Sequence, residues 1–150
     1  MGNTARGLLT AAIACVVATP VAVWWLVGDL SAPVPAGAPL DYTLRPPALP
    51  AWAEWVIGIV AVLVTGVSLV LLVRASRRSR FDPRWWAALV PALTAGALAG
   101  LGWRVVTAGT IGPNIGAGLA LMLGVPFVAL LLLWAIGWSA HLLRSRRAIR

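Results

Sequence analysis

Four long apolar runs, separated by stretches rich in Pro or Arg, organise the chain. A helix of about 20 residues crosses the roughly 30 Å hydrocarbon core of a bilayer. The runs at 8–27, 52–73, 85–103 and 115–138 are each about that long, and none carries Lys, Arg or Asp at its centre. In hydrocarbon the backbone must satisfy its own polar groups, so the runs predict helices. The period-two alternation of a barrel strand is missing. The expected fold class is an all-α membrane protein: one transmembrane domain over residues 1–150, built as a four-transmembrane-helix bundle.

The connections differ in kind. Residues 28–51 hold Pro33, Pro35, Pro39, Pro46, Pro47 and Pro50, which favours an extended, polyproline-like strap over a folded unit. Residues 74–84 form a short basic loop that makes the second and third helices antiparallel neighbours, and 139–150 form a basic tail. In Phe81-Asp82-Pro83, Asp82 is placed to cap the third helix with Pro83 in its first turn.

Composition strengthens this picture. The chain is 61% hydrophobic and 11% charged, with a mean hydropathy of +0.91, against about 45–50% and about 25% in soluble domains. The net charge is +8, from twelve Arg, no Lys and four acidic residues. Such a balance can signal nucleic acid. Here nine of the twelve arginines lie between Arg74 and Arg84 or between Arg144 and Arg150, directly after apolar runs. That placement is a topology signal and argues against nucleic acid. Arg counts alternate low, high, low, high along the loops after a weak N-terminus. They predict a cytoplasmic N-terminus, a cytoplasmic second loop and a cytoplasmic C-terminus, in a multi-pass protein of the plasma membrane.

Tryptophan gives an independent test, because it prefers the membrane–water interface. Trp24, Trp25, Trp52, Trp55, Trp85, Trp86, Trp103, Trp134 and Trp138 all fall near an expected helix end. A cleaved signal peptide is disfavoured by the length of the first run and its single preceding Arg. Arg6 occupies the position where N-myristoylation requires Ser or Thr, and Cys15, the only cysteine, lacks a lipoprotein context. A lone cysteine also excludes an intrachain disulfide.

Candidate chemistry is sparse. Ala92, Gly96 and Gly100 recur at four-residue spacing, as do Gly112, Gly116, Ala120 and Gly124. Such rows let helix backbones approach closely in lipid, so the third and fourth helices are expected to pack face to face. Pro20, Pro91 and Pro126 fall inside spans and predict kinks. The run 107–118 is Gly-rich and is expected to be an ordinary tight loop; Thr110 or Asn114 can cap the fourth helix, and an anion nest formed by the loop amides beside Arg104 is the functional alternative, without the P-loop or dinucleotide fingerprint. Glu54 and Arg104 are the charges nearest the spans outside the basic clusters, and they form the candidate functional charge pair. Arg74, Arg77, Arg78, Arg80, Arg84, Arg144, Arg146, Arg147 and Arg150 are the expected contacts with anionic headgroups.

No catalytic set, cofactor site or metal site is predicted, and His141 stands alone. Three classes of function remain. An enzyme acting on lipid lacks a nucleophile or metal ligands. A small oligomeric transporter or channel using Glu54 and Arg104 would find few polar groups in the spans beyond Thr10, Thr19, Thr65, Ser68 and Thr94. An accessory or scaffold subunit that binds other membrane proteins fits the small-residue rows and the basic tail; the expected partner is a membrane protein, and a homo-oligomer without one would favour the transporter.

Overall fold

The computed structural model describes residues 3–33 and 40–148, with the backbone alone for Asn3 and residues 146–148. Pro35, Pro39 and Arg150 lie outside the described residues, as do the side chains of Arg146 and Arg147. Four helices are long and apolar enough to cross a membrane. The first, α1, is Asn3–Val27, and α2 is Ala51–Arg77. After a 3-10 turn at Pro83–Trp85 comes α3, Trp86–Thr107. The fourth, α4, stacks three segments end to end: Ile115–Leu119, a π-helical turn at Ala120–Gly124, and Val125–Ala148.

All four helices outrun the apolar stretches that mark them. The residues assigned to a basic tail are helical as far as Ala148, and α1 begins at Asn3, before the apolar run starts. Hydropathy marks the length a bilayer would cover; a helix continues until a cap or a breaker stops it. Leaving α2, Ser79 takes the left-handed conformation at φ 54°. The Arg80 amide then reaches back to the Ala75 carbonyl at 2.9 Å, and the Ser79 amide to that of Ser76 at 3.0 Å. This pair of bonds closes helix C-termini elsewhere, with Gly in the left-handed position. Here Ser holds it, and Arg80 is folded back over the last turn of α2.

The helices pack in the order α2–α1–α3–α4. The core lies where α1, α2 and α3 meet, around Ala11, Cys15, Leu72 and Leu89. Cys15 and Leu72 are fully buried, and the Cys15 thiol points to the Thr65 carbonyl. Small residues set the spacing. At Gly58 a Cβ would collide with the Trp25 ring, which lies flat against α2 at that point. At Gly100 it would collide with the Pro20 carbonyl oxygen, so α1 and α3 touch backbone to backbone.

This corrects the expected role of the small-residue row on α3. Gly96 and Gly100 face Thr19, Pro20 and Trp24 of α1, not α4. On α4, Gly116 sits against Val105 of α3, while Gly124 and the loop residue Gly112 have no neighbour within 4 Å of a Cβ. The third and fourth helices do pack, with Ala117 buried at one end and two tryptophans bonded to the Ala87 and Arg84 carbonyls towards the other. A row of small residues fixes which face can be approached closely; it leaves open which helix approaches.

The prolines are accommodated by neighbours. Pro91 has no amide to give the Ala87 carbonyl four residues earlier. The Trp134 indole N–H of α4 donates to that oxygen instead, at 3.1 Å. Trp138, stacked on Trp134 with centroids 6.1 Å apart, donates to the Arg84 carbonyl at 3.0 Å. Pro126 directly follows the π-helical turn, in which the Val125 amide bonds to the Ala120 carbonyl. A π turn is one of the local adjustments by which apolar helices absorb proline.

Gly100→Ala is expected to lower the stability of the detergent-solubilised protein by about 1–3 kcal/mol, as overpacking does. Gly102→Ala, where a Cβ meets nothing within 4 Å, is expected to leave the denaturant midpoint nearly unchanged. Equal losses in the two variants would show that the α1–α3 approach is not tight.

Candidate functional site

The end of the bundle opposite the arginine-rich turn carries Asp29, Asp41, Arg45, Glu54 and Arg104. Three helix ends meet there: the C-terminus of α1, the N-terminus of α2 and the C-terminus of α3. Glu54 lies in the first turn of α2, and Arg104 in the last turn of α3. Each position suits its charge, since a helix N-terminus favours an anion and a C-terminus a cation.

The structure brings the two together. Arg104 Nη2 donates to Glu54 Oε1 at 2.7 Å. Arg104 Nε donates to the Trp24 carbonyl at 2.7 Å, and the guanidinium lies 4.3 Å from the centre of the Trp24 ring. Trp24 is four residues from the end of α1, where carbonyls lack an intrahelical partner. One planar fork therefore serves a carboxylate, an orphan carbonyl and an aromatic face on two other helices. The Arg104 side chain is 12% exposed and that of Glu54 36% exposed, so the cation is enclosed and the anion lies at the rim.

The loops above this triad are tied by a second network. Asp29 Oδ1 accepts from the Ser31 hydroxyl at 2.7 Å and from the Ser31 amide at 2.9 Å. Ser31 Oγ in turn accepts from the Gly109 amide at 3.0 Å, and the Ala32 amide donates to the Gly109 carbonyl at 2.8 Å. Asp41–Tyr42 (β1) pairs antiparallel with Gly109–Thr110 (β2), with Asp41 opposite Thr110 and Tyr42 opposite Gly109. A Cβ at Gly109 would come within 2.8 Å of Leu40 and 2.9 Å of the Tyr42 ring. The proline-rich connection is thus more than a strap: its centre is hydrogen-bonded into the α3–α4 loop.

Asn114 completes the assembly. Its Oδ1 accepts from the Ala117 amide at 2.8 Å, capping α4, and its Nδ2 donates to the Val105 carbonyl at 3.0 Å. The Leu44 amide takes the Val106 carbonyl at 3.3 Å. The last carbonyls of α3 are thereby satisfied by a side chain and by the α1–α2 loop. Donors that an anion nest in 107–118 would need are engaged within the protein. The Gly109 amide is bound to Ser31, the Gly118 amide to the Asn114 carbonyl, and the Thr110 hydroxyl to the Gly112 carbonyl. Donors turned inward to protein acceptors cannot cradle an anion.

Hydrogen bonds from the Ser31 hydroxyl and amide, aided by the Arg104 charge, hold the Asp29 carboxyl below the usual carboxylate range. Sequence reading missed Asp29, Ser31 and the Trp24 carbonyl. The available signal was the need of every helix C-terminus for donors, which directs attention to the residues just beyond Val27 and Thr107. At the other end, Arg74, Arg77, Arg78, Arg80, Arg84 and Arg144 are all exposed, and His141 lies against the Trp138 ring at 5.7 Å.

Two measurements probe the site. In a double-mutant cycle with Glu54→Gln and Arg104→Gln, unfolding in detergent is expected to show a coupling of about 0.5–3 kcal/mol. The Arg104 variant is the more damaging, since it also abandons Trp24; losses that add within about 0.3 kcal/mol would remove the ion pair from the account. The second is a pH titration of the Ser31 and Gly109 amide resonances. Because the folded Asp29 pKa is depressed, its stabilisation is full above the ordinary value of about 3.9 and is lost as pH falls through the folded value. The resonances are therefore expected to hold from neutral pH to about pH 4 and to move only below it, with Asp29→Asn removing the transition. A midpoint at or above the ordinary value would contradict the network.

No family model matches the chain, and neither does any curated protein or solved structure, so its function has to be read from these residues themselves.

Proposed function

We propose that the chain is an integral protein of the plasma membrane, with both termini cytoplasmic, and that it serves as an accessory or scaffold subunit for other membrane proteins rather than as an enzyme. The observation that carries this reading is the incomplete enclosure of α4. Only 6% of its span is buried in the bundle, against 22% for each of the other three. It leans on α3, and Gly118, Gly124 and Gly137 along it have no neighbour within 4 Å of a Cβ. Exposed small residues on an apolar helix permit close approach by another helix in lipid. The orientation is supported by the exposed arginines at one end and by the acidic Asp29, Asp41 and Glu54 at the other.

The transport reading is weaker on two grounds. A row of helices ordered α2–α1–α3–α4 does not wrap around a lumen. Glu54 has an oxygen bound to Arg104 at the bundle end, and the Thr10 and Thr19 hydroxyls bond to carbonyls of their own helix. Neither arrangement supplies the chain of polar groups a permeating ion needs.

Affinity purification of the tagged chain from its own membranes in mild detergent tests the proposal. The expected result is a stoichiometric membrane protein, retained by wild type and lost by the Gly118→Leu/Gly124→Leu variant. A partner-free homo-oligomer would overturn the accessory reading in favour of transport. Flux in liposomes, with Glu54→Gln as the control, would then be the measurement that follows.

A further inference from the structure

The arginine-rich end of the bundle holds a groove of about 450 Å³ between the start of α1 and the end of α2. Its floor is apolar: Leu8 and Ala11 on α1, Leu71 on α2. Its rim is cationic, with Arg74, Arg78 and Arg80 lining it together with the hydroxyl-bearing Thr4. Among the described residues, no carboxylate lies within ion-pair distance of any of these three guanidiniums.

The groove follows from the local chain. Below it, α1 and α2 are held together by Cys15 and Leu72, both fully buried. Above that contact, α1 offers only Gly7 and Thr4 where larger side chains would fill the gap, and a Cβ at Gly7 would meet nothing within 4 Å. The left-handed Ser79 then folds Arg80 back, its amide bonded to the Ala75 carbonyl. Without that turn, Arg80 would continue away from α2. With it, three forked cations stand over one apolar cleft, at the level where an apolar helix pair meets the headgroup layer.

We infer that this groove is a site for one anionic glycerophospholipid, its phosphate held by Arg78 and Arg80 with Arg74 behind, and an acyl chain along Leu8, Ala11 and Leu71. The chemistry is that of a guanidinium fork with phosphate oxygens, joined to an apolar bed that a free phosphate has no use for. The site differs from a general attraction of basic loops to an acidic leaflet, because it has a shape, a stoichiometry and a subset of arginines. It rests on the chain lying in a bilayer, and is independent of whether a protein partner exists.

The test is native mass spectrometry of the full chain, released from vesicles of phosphatidylglycerol and phosphatidylcholine in equal amounts. Resistance to alkaline extraction from the same vesicles is measured alongside. The expected result is one retained phosphatidylglycerol per chain. Each arginine removed from the rim should weaken retention about fivefold, so Arg78→Gln/Arg80→Gln should all but abolish it, while Arg144→Gln leaves it unchanged. Gly7→Phe, which fills the bed and keeps every charge, should also expel the lipid. Equal retention of both lipids, or equal loss in the Arg144 variant, would overturn the site while leaving the membrane reading intact. Displacement of the lipid by millimolar inorganic phosphate, with Gly7→Phe silent, would show a free-phosphate site and overturn the lipid. Extraction of the chain by alkali would overturn both this assignment and the membrane reading on which it rests.

Discussion

A carbonyl oxygen on a helix with apolar flanks has no partner except within the protein, and leaving it bare costs several kcal/mol in hydrocarbon. Much of this structure is the discharge of that obligation. Pro91 strips the Ala87 carbonyl of its partner, and an indole from the next helix supplies one. The end of α1 exposes the Trp24 carbonyl, and Arg104 reaches across to it. The end of α3 exposes those of Val105 and Val106, and Asn114 and the Leu44 amide take them. The polar residues of the chain are few, and the ones that bind other helices do so largely at carbonyls.

The two ends of the bundle handle charge in opposite ways. At the arginine-rich end Arg74, Arg77, Arg78, Arg80, Arg84 and Arg144 are exposed, which suits a polar, anionic surface nearby. At the other end the largely enclosed Arg104 is shared out between a carboxylate, a carbonyl and a ring. A desolvated charge is tolerable only with that degree of coordination. Removing one partner leaves the others in place, which makes Arg104 the residue on which three helix ends jointly depend.

The helices were legible in the sequence because a span of apolar residues is a one-dimensional signal. So was the proximity of Glu54 to Arg104, since both are charges set at one end of their runs. The helix ends were less so: Asn3 and the residues up to Ala148 are helical for reasons of hydrogen bonding that hydropathy does not report. The partner of Gly100 was not legible either. Four-residue spacing shows that a face is smooth, and the protrusion that fills it is a carbonyl of Pro20, a backbone atom no side-chain pattern reveals. The β1–β2 pairing escaped because prolines dominate the loop composition and mask the two residues that pair.

The packing order α2–α1–α3–α4 also has a meaning in time. As the chain is synthesised from its N-terminus, α2 finds α1 already made, α3 finds α1, and α4 finds α3. No helix has to wait for a partner not yet translated, and the Pro20 carbonyl is in place before Gly100 emerges to receive it. Between the third and fourth helices Gly109 reaches back to Ser31, 78 residues earlier in the chain. A latch across the two loops can thus be set once three helices are in place, before α4 is complete.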